Sequence, residues 1–154
     1  MRIFVGFIAL FVSVIISNLL TIKFTLKRKF YNDFYEFNKR YKSELAFKRT
    51  TLIKLIKEIN TGSNFYLLLT NHFNKSCETI EFTKQLSDGE MQFINSYLNS
   101  IGRGDVASQT EFINQSNEII YKSLNYSIEE EKKYKTLYIK IGFLAGLIIF
   151  VLII

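Results

Sequence analysis

Two apolar stretches, one at each end of the 154-residue chain, constrain its fold more than any other feature, because each carries positive charge on its inner side alone. The first, residues 3–22, has only Ser13, Ser17, Asn18 and Thr21 as polar side chains and runs into Lys23, Lys27, Arg28 and Lys29. The second, residues 137–154, follows Lys132, Lys133 and Lys135 and carries Lys140 near its inner end. About 20 apolar residues in a helix cross the hydrocarbon of a bilayer. The first stretch meets that length. The second is shorter, but Lys140 can extend its ammonium to the interface, and Tyr134 and Tyr138 fall where amphipathic rings prefer to lie. Lysine and arginine accumulate on the cytoplasmic side of spans. Both stretches therefore predict that residues 23–136 lie in the cytoplasm, with both termini outside it. A cleaved signal peptide is the competing reading of the first stretch. Its length, and the lack of a small-residue A-x-A-like site before Lys23, favour an uncleaved span.

The net charge of +6 is unevenly spread. Residues 23–57 hold eleven Lys and Arg against Asp33, Glu36 and Glu44, whereas residues 58–131 hold eleven acids against Lys75, Lys84, Arg103 and Lys122. For the membrane-proximal Lys23, Lys27, Arg28 and Lys29, two readings stand side by side. They bind anionic lipid, at about 1 kcal/mol per charge near the surface, or they pack beside acidic helices of the same chain or simply face solvent. Cations beyond Arg40 lie too far from the membrane for the first. No recognition motif accompanies the basic residues, so nucleic acid is not an expected partner.

Cys77 is the only cysteine and His72 the only histidine, so no disulfide, zinc site or Cys–His nucleophile is expected within one chain. No phosphate-binding glycine loop and no Ser/His/Asp set is present. Glu129-Glu130-Glu131 cannot converge on a metal, since consecutive helical residues point about 100° apart, and they read as a solvated face balanced by Lys132, Lys133 and Lys135. The expectation is a chain without catalytic residues, cofactor or metal.

The chain has no proline, which suits long helices. Phe30, Phe34, Phe37, Tyr41, Leu45, Leu52, Leu55, Ile56 and Ile59 recur in steps that place most of them on one helical face. With no breaker in between, a single helix is predicted from the first span to about Asn60, ending at Thr61-Gly62 and reaching roughly 50 Å beyond the span. Phe65, Leu68, Leu69, His72 and Phe73 form a short stripe, and Ile80 and Phe82 begin another. Ser87-Asp88-Gly89-Glu90 has capping-box spacing and opens a helix through Met91, Ile94, Tyr97, Leu98 and Ile101 that stops at Gly102-Arg103-Gly104. Asp105 can cap the next helix, which accounts for the adhesion-like tripeptide Arg103-Gly104-Asp105. That last helix runs toward the C-terminus with Val106, Ile113, Ile120, Tyr134 and Ile141 in heptad register, a spacing suited to a long antiparallel partner. The predicted fold is all-α: two transmembrane helices, 3–22 and 137–154, continuous with an antiparallel cytosolic helical bundle, 23–136. Gly142 and Gly146 in one span, and Ser13 and Ser17 in the other, have the small-x-x-x-small spacing that lets helices approach closely, either within the chain or between subunits of a homo-oligomer.

A helix after Leu86-Ser87-Asp88, the run Tyr97-Leu98-Asn99-Ser100-Ile101-Gly102-Arg103-Gly104-Asp105 with Gln109 four residues on, and Tyr134-Lys135-Thr136-Leu137 leading into Ile141-Gly142-Phe143-Leu144-Ala145-Gly146-Leu147 together resemble the stage III sporulation protein AB family of endospore-forming bacteria. That family carries a hydrophobic-G-x-x-D…Q turn, here Gly102, Asp105 and Gln109, and a Leu-Gly-Phe-Leu-x-Gly terminal span. Two departures stand out. The centre, residues 64–86, is short and lacks proline, and Gly104 replaces the usual serine before the aspartate. The resemblance implies a cytosolic domain similar to the F-domain of type II secretion and type IV pilus platform proteins. It implies a non-enzymatic platform subunit of the channel complex between mother cell and forespore, in the mother-cell membrane that surrounds the forespore. The implied partners are the stage III AA ATPase and the other stage III membrane proteins. A stand-alone membrane sensor or signalling module is the alternative, but the short overhangs beyond both spans leave no room for an external ligand domain.

Overall fold

The unbroken three-and-four spacing is realised as helix. The computed structural model describes residues 2–47, 52–58, 62–74 and 81–153. Among them lie five α-helices and a short 3₁₀ turn: α1 (Arg2–Phe47), α2 (Leu52–Glu58), α3 (Asn64–Asn74), the 3₁₀ turn Glu81–Gln85, α4 (Asp88–Ser100) and α5 (Val106–Ile153). No strand occurs among the described residues. The protein is all-α, and α1 and α5 are each long and apolar enough to cross a membrane, with a helical region between their apolar ends.

Two compact units divide the chain. One pairs α1 up to Arg28 with α5 from Tyr126. Its contacts run in opposite order along the two helices: Phe7 meets Phe150, Ser13 meets Gly142, and Phe24 meets Tyr134. The helices of this unit are therefore antiparallel.

The second unit, Lys29–Asn125, closes around aromatic rings. Phe30, Tyr31, Phe34, Phe37 and Tyr41 of α1 are buried against Leu55, Phe65, Leu69, Phe82, Ile94, Tyr97 and Ile113. Phe34 stacks on Phe65 at 4.7 Å between centroids and receives the edge of Tyr97 at 4.7 Å. Offset and edge-on pairs of this kind add about 0.5–1.5 kcal/mol each beyond their buried area. Here too α1 and α5 are antiparallel, since Tyr35 packs beside Tyr121 and Asn38 bonds to Ile113.

The apolar stripe that begins at Phe30 is not one helix reaching Asn60. Glu58, at the end of α2, comes within 3.8 Å of Arg40, although 18 residues of continuous helix would separate them by about 27 Å. The chain reverses, and α2 lies back along α1. Both partners are about half exposed, so the pair marks the reversal more than it stabilises it. The residues between α1 and α2, and Thr61 of the expected stop, lie outside those described.

At α4 the capping box is complete. The Ser87 hydroxyl accepts the Glu90 amide at 3.3 Å, and Glu90 Oε2 accepts the Ser87 amide at 2.8 Å. The other Glu90 oxygen accepts the buried Tyr31 hydroxyl at 2.8 Å, tying the start of α4 to α1. Helix α5 is continuous, as its spacing predicts, but its buried face leaves the heptad. Ile113, Ile120 and, seven on, Ser127 are buried, whereas Ile141 is half exposed and Gly142 faces α1 instead. A straight α-helix drifts about 20° per heptad, and over four heptads that moves the seam by nearly one residue.

Candidate functional site

The paired apolar ends have an inside-out composition. Their shared seam is made of small and hydroxyl residues. The Ser13 hydroxyl donates to the Gly142 carbonyl at 2.7 Å, and Ser17 donates back to the Ser13 carbonyl at 3.0 Å. Ser17 and Thr21 are buried, and Thr21 satisfies its hydroxyl on the Asn18 carbonyl. A Cβ at Gly142 would strike the Ser17 hydroxyl and come within 2.6 Å of Ser17 Cβ, and one at Gly146 would sit 3.2 Å from Leu10 Cα. Phe4, Phe11, Ile15, Leu19, Leu144, Ile148 and Leu152 point outward and are half or more exposed. Helices in lipid associate through small residues and interhelical hydrogen bonds, because large apolar side chains gain nothing by leaving the hydrocarbon. Within the chain, Gly142 meets Ser13 and Ser17, and Gly146 meets Leu10. Gly142→Leu is expected to destabilise this pair by about 1–3 kcal/mol, read as faster amide hydrogen exchange at residues 10–17 and 139–146 of the detergent-solubilised protein. Gly142→Ala should cost less, and Ser17→Gly beside it should restore most of that loss. Equal exchange of Gly142→Leu and the parent at these residues would refute the close approach.

One turn further along, the seam becomes charged. Lys27 pairs with Glu130 at 3.4 Å, Arg28 pairs with Glu131, and the Thr25 hydroxyl donates to Glu131 at 2.6 Å. Burial alone would raise the Glu131 pKa. The Thr25 hydrogen bond and the Arg28 charge outweigh it and hold the carboxyl below its ordinary range. Glu130 and Glu131 are therefore not the solvated face expected of them; only Glu129 is exposed. Of the four membrane-proximal cations, Lys27 and Arg28 turn to α5. Lys23 is exposed, its ammonium 5.0 Å from the Phe24 ring, and Lys29 is exposed at the start of the other unit. Phe24 itself stacks on Tyr134 at 4.7 Å and lies near Tyr138.

In the unit Lys29–Asn125, Gly102, Asp105 and Gln109 build one turn. Gly102 has φ +78°, and a Cβ there would come within 2.8 Å of a Leu52 methyl. Gly104 has φ +97°, also the left-handed region that glycine tolerates. Asp105 accepts the Ser108 amide at 3.0 Å and so caps α5. The buried Gln109 side chain closes the turn: its carbonyl accepts the Gly102 amide at 2.8 Å, and its amide donates to the carbonyls of Ser100 and Arg103.

A second buried polar group was not anticipated. Asn38 is fully buried. It accepts the Tyr97 hydroxyl at 2.9 Å and donates to the Ile113 carbonyl at 3.2 Å and to Asn117 at 3.1 Å. Burial, reinforced by neighbouring Tyr41, pushes the Tyr97 phenol well above its ordinary pKa, so it remains a donor. The signal was present: Asn38 stands four residues after Phe34, on the apolar stripe. His72 is exposed and packs edge-on against Phe73. Cys77 lies outside the described residues. Among those described, no three His, Cys, Asp or Glu side chains converge.

The family model of stage III sporulation protein AB matches residues 67–154, more than half of the chain, taking in most of α3, the Gly102–Gln109 turn and all of α4 and α5. No match was found among curated proteins or solved structures. With the turn and the glycine-lined seam both inside the matched region, the chain belongs to the stage III sporulation protein AB family.

Proposed function

We propose that this chain is a non-enzymatic platform subunit of a secretion-like channel complex in endospore formation. Residues 3–22 and 137–154 anchor it in the mother-cell membrane around the forespore. Residues 23–136 lie in the mother-cell cytoplasm and dock a secretion-type ATPase of the stage III AA kind, alongside other stage III membrane proteins. The observation that carries this reading is the contrast between the two units. One hides small residues and exposes large apolar ones, as a lipid-solvated hairpin does. The other encloses an aromatic core, as a water-solvated bundle does. Lysines flank the inner ends of both apolar stretches, which supports the cytoplasmic side for the bundle, and membership of a stage III sporulation family supports the process.

For docking, the bundle offers an open groove between α1 and α5 lined by Tyr35, Lys39, Lys42, Phe47 and Asn117. Arg40 turns to Glu58 of α2 instead, and Arg49 of the same basic arm lies outside the described residues. The full-length chain, solubilised from sporulating-cell membranes, is expected to co-purify with the ATPase. Charge reversal of Lys39 and Lys42 together should reduce that recovery at unchanged expression. An ATPase that stays membrane-bound in cells lacking this chain, and never co-purifies with it, would overturn the docking role.

A further inference from the structure

With Lys27 and Arg28 engaged by Glu130 and Glu131, the basic charge open to a ligand at this level sits mainly on α5. Lys132, Lys133 and Lys135 are all exposed. At about 100° per residue, Tyr134 is turned toward Phe24 of α1, Lys132 lies near the opposite side of the helix, and Lys133 and Lys135 lie on its two flanks, the Lys133 ammonium 5.6 Å from the Tyr134 ring. Exposed Lys23 stands at the same height, next to the Phe24–Tyr134 stack. Once the two internal ion pairs are set aside, Glu129 is the one exposed acid among residues 129–136. Directly beyond the lysines begins the exposed apolar face of Leu137, Ile141 and Leu144.

We propose that Lys132, Lys133 and Lys135, with Lys23, form a surface for anionic phospholipid that seats several headgroups around the hairpin, their phosphates met by the separate ammoniums and their acyl chains lying along its apolar faces. This rests on the membrane reading above and places lipid recognition on the C-terminal helix instead of on the basic arm after the first stretch. A lipid fits better than an acidic protein because the cationic and apolar surfaces are continuous and follow one another along the helix axis, as head and tails do. A lysine near an anionic surface changes partitioning about fivefold.

The test uses the full-length chain purified in a neutral detergent and equilibrated with an equimolar mixture of phosphatidylglycerol and phosphatidylcholine, retained lipid being counted by native mass spectrometry. Phosphatidylglycerol should be enriched several-fold. The Lys132→Gln/Lys133→Gln/Lys135→Gln variant should return the ratio to that of the mixture. The charge-neutral Arg28→Gln/Glu131→Gln variant should keep the enrichment. Three results would overturn the site: enrichment unchanged in the triple variant, displacement by inorganic phosphate as effective as by phosphatidylglycerol, or loss of ATPase recovery in the triple variant with lipid preference intact. Extraction of the parent chain by alkaline carbonate without detergent would instead defeat the membrane reading itself.

Discussion

Phe34→Ala is expected to lower the stability of the Lys29–Asn125 unit by about 3–5 kcal/mol, the range for truncating a buried phenylalanine. Phe34 is fully buried, and its ring is gripped from several sides: stacked on Phe65, met edge-on by Tyr97, and flanked by Phe30 and Phe93. Rigid aromatic neighbours on two other helices, α3 and α4, cannot all collapse into the space, so the loss combines missing transfer energy with a residual cavity. Because the chain has two units, a single melting temperature would blend them. Amide hydrogen exchange of α3 and α4 in the detergent-solubilised protein reads the affected unit alone. Phe47→Ala is the matched control. Phe47 is 84% exposed, and its removal should change exchange by no more than about 0.5 kcal/mol. If Phe34→Ala proved as mild as Phe47→Ala, the aromatic core would not be the source of the unit's stability.

What could be read from the sequence was local. The inner-flanked apolar ends, the Ser87–Glu90 capping box, the glycine stop at Gly102 and the uninterrupted α5 each rest on residues within a few turns of one another, and all four appear in the structure. The failures share a different origin. Nothing between Tyr41 and Leu55 breaks the apolar period, yet α2 folds back far enough for Glu58 to reach Arg40; tertiary burial of Leu52 and Leu55 decides this, and periodicity is blind to it. Ile141 obeyed the heptad on paper, but a repeat of seven and a helix of 3.6 residues per turn part company over this length. Glu131 looked solvated beside its own lysines. Its partners, Thr25 and Arg28, lie more than a hundred residues earlier in the chain. Asn38 is the same case in the core, because its burial makes sense only once Tyr97, Ile113 and Asn117 are placed around it.

The turn between α4 and α5 turns a sequence signature into a measurable hierarchy. Gln109→Ala is expected to cost about 2–3 kcal/mol, because deleting one buried side-chain amide removes three hydrogen bonds at once, each worth about 0.5–1.5 kcal/mol, while the exposed Gly102 and Arg103 groups regain water in part. The Gly102 amide loses its acceptor, and the Ser100 and Arg103 carbonyls lose a donor. The Ser100 carbonyl keeps a weaker bond from the Arg103 amide at 3.3 Å, which trims the total. Gln109→Glu should rescue little. Its carboxylate can still accept from Gly102, but it would also face the two carbonyls that now receive a donor. Asp105→Ala removes only an exposed helix cap and should cost about 1 kcal/mol. Denaturation of the solubilised protein, with exchange followed at residues 98–110, should rank Gln109→Ala and Gln109→Glu together and well above Asp105→Ala. A ranking in which Asp105 matters most would mean that the turn serves chiefly to start α5. The expected ranking makes Gln109 the clasp that fixes where α4 ends and α5 begins, and with it the angle between the two helices that close the aromatic core.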